Sequence, residues 1–300
     1  MVVIPRSLAQ VSRTSIPKFL RDICYNPRNN HRDLERVYDG ILEPCLTNKS
    51  HYVRGTQNSL SSVHVKYHDY PNLSITDFFS GLGYVLAHVH PYQSSHDLKS
   101  LTQLLCQYSE WCRSSATLLE VNPPTVVQLL WSVKCRRFSL ASSVAAGKGE
   151  GREEVREERV KSLEAVWPDQ LTNPTPVQQQ HALAGTHKVV DSSTELFGTP
   201  WGHCGESISF ASLFETIHNA SPLATLALSV KSMTSTIPGT NVVPVQVIPY
   251  LNRLSDIVEV LQVSGSLRPM CLNCQYLAKG RVNDYAHHFL AKDYCIHTAI

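Results

Sequence analysis

Two short segments of the chain carry residue types that bind metal ions and transfer protons. The segment WGHCGE places Cys204 two residues before Glu206, and the segment RPMCLNC places Cys271 three residues before Cys274. Cysteine thiolates are zinc ligands, and a carboxylate beside a metal site can accept and return a proton. Together the two segments predict a zinc centre with an acid–base group next to it.

Both segments are expected to begin helices, whose unpaired N–H groups and positive dipole end stabilise thiolates. Cys271 and Cys274 are three residues apart, so both sulfurs face the same side of one helical turn. Cys204 on the other helix then supplies the third metal ligand. Three protein ligands leave the fourth zinc position open for water, which is typical of catalytic zinc. Glu206 is predicted to take the proton of that water.

Three alternatives to this interpretation follow from the same residues. His203 instead of Cys204 could bind the metal, although it stands three residues before Glu206 and not two. The Cys271–Cys274 pair could be a redox pair, as in other C-x-x-C motifs. A site built from three thiolates could also hold zinc without catalysis, because electron-rich ligands acidify a bound water less.

Residues 180–300 resemble the cytidine deaminase-like superfamily, and in particular fungal deaminase-like proteins with the pattern W-G-N-C-A-E followed by P-C-x-N-C-Q. The residues that match are Trp201, Gly202, Cys204, Glu206, Cys271, Asn273, Cys274 and Gln275. Gly205 stands where that pattern has Ala, and Met270 where it has Pro. The resemblance implies zinc on the three cysteines and Glu206 as the proton shuttle.

The resemblance also implies hydrolytic deamination of a nucleobase, a nucleoside or a related small amino-substituted ring. It implies a mixed sheet sandwiched by helices, which we expect to be truncated at its C-terminal edge. A second hypothesis is a catalytically inactive zinc-binding scaffold that serves as an interaction protein. The net charge of +2 is too small to indicate nucleic-acid binding, so a small nucleobase-like substrate is favoured over nucleic acid.

The nine cysteines are odd in number and follow no secretory signal, which indicates a reducing compartment. We expect a cytoplasmic or nuclear protein. Arg6, Arg13, Lys18 and Arg21 would suit a mitochondrial presequence, which is the less favoured hypothesis. No apolar run is long enough to cross a membrane. Cys106 and Cys112 are predicted to be thiols of the hydrophobic core.

Hydrophobic periodicity predicts an α/β (α+β) protein whose N-terminal region, residues 1–146, is mostly helical. Residues 1–30 show little periodicity, and residues 47–72 are predicted to form a loop. Helices are predicted at 33–43, where Pro44 ends the helix, and at 74–90, 97–119 and 126–144. The histidines at positions 88, 90 and 96 are interpreted as exposed residues at a helix end rather than a metal cluster.

A charged and polar linker is predicted at 147–180, as either a solvated segment or an exposed helix extension. The zinc domain then occupies residues 181–300. Its predicted strands are a short strand or hairpin arm within 183–190, a buried one at 225–230, another at 245–248 and one at 294–296. Its predicted helices follow Glu206 and occupy 251–263 and 273–290.

Overall fold

Helices pack around small antiparallel sheets in the computed structural model of the chain, which confirms the α/β (α+β) class. The structure describes residues 16–29, 32–47, 62–67, 70–89, 97–132, 137–144, 152–166, 188–191, 194–197, 201–213, 223–268 and 274. The predicted helix at 273–290, except for position 274, and the predicted strand at 294–296 lie outside these residues. The expected truncated edge lies outside them as well.

The described N-terminal region begins with an amphipathic helix. Helix α1 (Ile16–Cys24) buries Ile16, Leu20 and Ile23 on one face. These positions follow the i, i+4, i+7 spacing of a helix that packs on one side. The prediction of little periodicity through residues 1–30 is therefore wrong for this segment.

The helix predicted at 33–43 is present but continues through its expected end. Helix α2 (Arg32–Val37) leads into a π-helical turn at Tyr38–Leu42, and helix α3 (Glu43–Thr47) follows directly. Pro44 was expected to stop the helix, yet it lies in the first turn of α3. The proline is tolerated there because the π-helical turn directly before it already interrupts the regular i→i−4 hydrogen-bond pattern.

A β-hairpin occupies part of the segment that was predicted to be a loop. Strand β1 (Val63–Tyr67) pairs antiparallel with strand β2 (Tyr70–Ile75). Val65 and Tyr67 are buried while their neighbours in β1 are more exposed, so the strand follows the two-residue period of a half-buried sheet. The prediction of a loop over residues 47–72 is wrong at these strands.

Two long helices agree with the sequence prediction. Helix α4 (Phe78–His88) and helix α5 (Leu98–Leu119) each begin after an aspartate, Asp77 and Asp97 respectively. Each aspartate accepts a hydrogen bond from the backbone N–H three residues later, which satisfies one of the unpaired donors at a helix start.

The predicted exposure of the histidines at the end of α4 is wrong for His88. This residue is 6% exposed, and its Nδ1 lies 2.8 Å from the Tyr84 carbonyl oxygen. Its ring packs against the rings of Tyr67 and Tyr84, so the histidine is part of the core. His90 and His96 lie outside the described residues.

A three-stranded antiparallel sheet lies at the centre of the described structure. Strand β3 (Val126–Ser132) pairs with strand β4 (Arg137–Ser142) on one edge, and strand β7 (Leu223–Ser229) pairs with β3 on the other. The buried strand predicted at 225–230 is confirmed. The helix predicted at 126–144 is wrong, because β3 and β4 form a hairpin there.

The predicted linker contains a helix that packs against the core. Helix α6 (Arg152–Val166) buries Val155, Arg159 and Leu163, which are four residues apart and lie on one face. A helix was one of the two predicted forms of this segment, but the expected full exposure is wrong. Its other face carries charged side chains that form ion pairs three residues apart.

Two short strands and a short helix follow α6. Strand β5 (Lys188–Asp191) pairs antiparallel with strand β6 (Thr194–Phe197), in agreement with the hairpin arm predicted within 183–190. Helix α7 (Glu206–Ser212) begins at the glutamate of the first motif, as the sequence predicted.

The region after β7 is helical. Helix α8 (Val230–Met233) and helix α9 (Pro244–Val247) are single turns, and helix α10 (Leu254–Val263) confirms the helix predicted at 251–263. The strand predicted at 245–248 is wrong. Pro244 occupies the first turn of α9, where its fixed φ favours a helix start.

Strands from both sides of the predicted linker share the central sheet. β3 and β4 precede the linker and β7 follows it, while α6 packs against α7. The division into residues 1–146, 147–180 and 181–300 stays a prediction. The shared sheet weighs against two parts that fold independently.

Candidate metal centre

The loop that carries Cys204 is held against the end of strand β4. The Val144 N–H donates to the His203 carbonyl oxygen at 2.8 Å, and the Ile208 N–H donates to the Gly205 carbonyl oxygen at 3.1 Å. Cys204 therefore lies directly before the first turn of α7.

Two glycines allow the loop to approach its neighbours closely. Gly202 has φ +84°, and a Cβ there would lie 2.4 Å from the Arg156 carbonyl oxygen of α6. Gly205 has an ordinary helical φ of −61°, but a Cβ there would lie 3.1 Å from the Ser142 carbonyl carbon of β4. The tight contact with β4 gives a physical reason for glycine at position 205.

A buried arginine ties the same loop to the rest of the fold. The Arg159 side chain is 0% exposed, and its Nη2 lies 2.9 Å from Asp77 Oδ2. Nη2 also donates to Ser80 Oγ at 2.9 Å, and Nη1 donates to the carbonyl oxygens of Ser142 at 2.9 Å and Gly202 at 3.4 Å. One guanidinium thus joins α6, the start of α4, strand β4 and the Cys204 loop.

The described residues bring Cys204, Glu206 and Cys274 together. The two sulfurs and a carboxylate oxygen all lie within 4.8 Å of one another. Glu206 is 5% exposed and Cys274 is 2% exposed, while Cys204 is half-buried. Cys271, the fourth residue of the sequence prediction, lies outside the described residues.

The distances and the donor chemistry suit a metal ion. Zinc–sulfur bonds are about 2.3 Å long, so two sulfurs on one tetrahedral zinc lie about 3.8 Å apart. The donor atoms of the cluster lie within 4.8 Å of one another, so a small side-chain movement would bring the two sulfurs to that separation. Two thiolates and a carboxylate would repel one another in this largely buried place, and a divalent cation would offset that repulsion. The cluster could therefore hold a metal ion.

His203, the alternative ligand, is not a member of this cluster. Its Nε2 lies 3.5 Å from Glu153 Oε1, at the outer limit of a hydrogen bond. Burial lowers the pKa of the His203 imidazole, and the charge of Arg152 lowers it further, against the opposite effect of Glu153. The imidazole therefore faces the charged start of α6.

The buried thiols outside the cluster belong to the core. Cys106 is 1% exposed and Cys112 is 0% exposed, which confirms their prediction as core residues. Burial raises the pKa of both thiols well above the ordinary range. Cys45, at the end of the N-terminal helices, has its pKa raised to about 12 by burial and, to a lesser degree, by Asp77. Within the described ranges, none of these three thiols belongs to a cluster that could hold a metal ion.

Arg159 and Asp77 support the site, although neither was predicted from the sequence. The sequence does contain a signal for Arg159. It lies four residues from both Val155 and Leu163, which places it in the apolar stripe of α6. A charged residue in the apolar stripe of a helix requires a buried partner. The partner lies 82 residues away in sequence, and no local pattern connects the two.

Comparison with known proteins gives no relative from which a role could be transferred. No protein-family model, curated protein or solved structure matches the chain. Within the part of the chain that the structure describes, no helix combines the length and apolar character needed to cross a bilayer. A cluster of two thiols and a carboxylate that could hold a metal ion is therefore the feature on which a functional conclusion depends.

Proposed function

We propose that the protein is a zinc-dependent hydrolytic deaminase of a nucleobase, a nucleoside or a related small amino-substituted ring. The observation that carries the proposal is the gathering of Cys204, Glu206 and Cys274 within 4.8 Å. The C-x-E and C-x-x-C motifs, in this order and around strand β7, resemble those of the cytidine deaminase-like superfamily.

Cys204, Cys271 and Cys274 would hold the ion, and zinc in such a site supplies a Lewis acid that makes water a nucleophile at neutral pH. Glu206 would take one proton from the attacking water and give it to the ring nitrogen, and would then take the second proton from the new hydroxyl group and give it to the leaving amine, so that ammonia departs and a ring carbonyl remains. Its 5% exposure keeps bulk water from competing for these protons. The hydrogen-bonded loop at residues 202–205 holds Cys204 and Glu206 at a fixed separation.

A zinc-binding scaffold without catalysis is the second candidate, and one observation favours it. The Glu206 carboxylate lies at a distance from both sulfurs that also suits a metal ligand. If Glu206 bound the ion together with the three cysteines, the zinc would have four protein ligands. Four protein ligands form the closed coordination of a structural site, with no position for water.

Metal content and deamination in matched variants distinguish the two candidates. For the deaminase we expect one zinc per chain by elemental analysis, lost in Cys204→Ser and Cys274→Ser. Glu206→Gln should keep the zinc and lose ammonia release from amino-substituted bases and nucleosides by at least about a hundredfold. Glu164→Gln, an exposed change on α6, is the control and should alter neither property. Loss of zinc from Glu206→Gln, with no ammonia release by the zinc-loaded wild type, would instead support the scaffold.

A further inference from the structure

The buried guanidinium group of Arg159 joins the Cys204 loop to strand β4 through a single nitrogen. Its Nη1 donates to the Ser142 carbonyl oxygen at 2.9 Å and to the Gly202 carbonyl oxygen at 3.4 Å. Gly202 stands two residues before Cys204, so their Cα atoms lie within about 7.6 Å of each other. The Arg159 side chain is 0% exposed, so water cannot replace this contact. The contact therefore acts on the backbone that leads into a candidate metal ligand.

Backbone hydrogen bonds hold the rest of this loop. The Val144 N–H donates to the His203 carbonyl oxygen at 2.8 Å, and the Ser207 N–H donates to the Cys204 carbonyl oxygen at 3.3 Å. Any residue type other than proline can donate such bonds, whereas the contact from the guanidinium group depends on the side chain of Arg159. A substitution of this arginine therefore removes a restraint on the loop without removing any of its backbone donors and acceptors.

Two side chains at the start of α4 fix the orientation of the guanidinium plane. Nη2 of Arg159 lies 2.9 Å from Asp77 Oδ2 and donates to Ser80 Oγ at 2.9 Å. Asp77 is itself held by the Ser80 N–H, which donates to its Oδ1 at 2.9 Å. Because the guanidinium group is planar and rigid, the contacts of Nη2 also place Nη1 against the loop. Asp77 therefore acts on the loop through Arg159.

We propose that Arg159 is a positioning residue of the candidate metal centre, and that together with Asp77 it sets the affinity of this centre for zinc. Cys204 is the half-buried member of the cluster, while Glu206 and Cys274 are 5% and 2% exposed. By holding the loop, Arg159 keeps the Cys204 sulfur within 4.8 Å of the other two donor atoms before the ion binds. Such preorganisation lowers the ordering cost of binding. The inference rests on the proposed function only for the zinc ion and requires no deamination.

Zinc affinity, measured by competition with a chromophoric chelator, tests the inference without turnover. Arg159→Met should weaken zinc binding about 10–100-fold, the usual loss when a group that orients a metal ligand is removed. Asp77→Asn, which keeps a good helix cap, should weaken it at least about threefold and decides the question if Arg159→Met does not fold. Lys161→Met is the matched control, because it removes a cation that is 66% exposed on the same helix and should leave the affinity unchanged.

Urea unfolding with and without zinc separates positioning from a purely structural role. Zinc that binds only the folded protein raises the free energy of unfolding by an amount set by its affinity. If Arg159 only stabilised the fold, its replacement would leave this zinc-induced rise unchanged. We expect instead a smaller rise in Arg159→Met and in Asp77→Asn than in the wild type, and the wild-type rise in Lys161→Met.

Wild-type zinc affinity in either folded variant, Arg159→Met or Asp77→Asn, would overturn the inference, and so would a wild-type protein that binds no zinc. These outcomes are distinct from those for the proposed function. Arg159-dependent zinc binding without ammonia release would contradict only the deaminase proposal. Ammonia release together with a zinc affinity that does not depend on Arg159 would contradict only the positioning role.

Discussion

Arg159→Met should destabilise the protein by about 3 kcal/mol or more, because removal of one partner of a buried ion pair costs about 3–5 kcal/mol. The side chains of Arg159 and Asp77 are 0% and 7% exposed, so water cannot replace the lost interaction. Asp77 keeps its hydrogen bonds from the Ser80 N–H and hydroxyl, which moderates the cost. The carbonyl oxygens of Ser142 and Gly202 lose a donor as well.

Arg156→Met is the matched control on the same helix. Its side chain is 28% exposed and its partner Glu153 is 62% exposed, and exposed ion pairs contribute about 0–1 kcal/mol. Urea unfolding followed by circular dichroism gives the free energy of unfolding for each variant. Equal losses in Arg159→Met and Arg156→Met, each below about 1 kcal/mol, would refute the assignment of Arg159 as the buried anchor of the Cys204 loop.

A double-mutant cycle separates the ion pair from the other contacts of Arg159. Asp77→Asn keeps the shape of the helix cap and removes the charge. We expect a coupling energy between Asp77→Asn and Arg159→Met in the range of about 0.5–3 kcal/mol. Purely additive effects would mean that Arg159 acts through the Ser142 and Gly202 carbonyl groups and not through the carboxylate.

Two further predictions concern close packing and pH. Gly205→Ala should cost about 1–3 kcal/mol in urea unfolding, because its Cβ would lie 3.1 Å from the Ser142 backbone; wild-type stability would contradict this contact. Burial raises the pKa of Cys45 from 9.0 to about 12, so the folded protein keeps a proton that the unfolded chain releases first. The stability that this thiol contributes is complete below pH 9.0 and falls as pH rises towards 12, by about 1.4 kcal/mol per pH unit at most. Cys45→Ala should flatten this alkaline loss, and an unchanged slope would show that Cys45 does not titrate as a buried thiol.

Elements with one clear period and a capping residue could be predicted from the sequence. Helix α5 combines a helical apolar pattern with Asp97 at its start, and α10 has a similar apolar face. The buried strand β7 has neither signal, and its short apolar length after Pro222 indicated a strand. In each case the local pattern and the tertiary environment favour the same structure.

The β3–β4 hairpin shows why other elements could not be predicted in this way. The run from Val126 to Ser132 is buried almost throughout, and a continuous apolar run has no period that separates a strand from a helix. Partners decide the outcome, because β3 gains backbone hydrogen bonds from both β4 and β7. The sequence does contain Val126, Val127 and Trp131, residues that favour strands.

The residue types of the metal centre could be predicted, but the buried contacts that hold the Cys204 loop in place could not. Cys204, Glu206 and Cys274 are marked by motif spacing, and the structure brings these three together. Arg159 lies in a segment whose high charge indicated a linker. Its role depends on contacts with residues far away in sequence, such as Asp77, which composition cannot show.

The position of β3 in the central sheet has a consequence for synthesis of the chain. Its partner on one side, β4, follows within a few residues. On the other side, the Gln128 side chain donates a hydrogen bond to Thr225 of β7, which is 97 residues later. At a translation rate of about 5–20 residues per second, roughly 5–20 s pass between the synthesis of β3 and that of β7. During that interval the ribosome-bound chain presents an apolar, unpaired strand edge, a surface that promotes aggregation. Helix α5 packs against β3 but does not pair this edge, whose backbone groups find their partner when β7 has emerged.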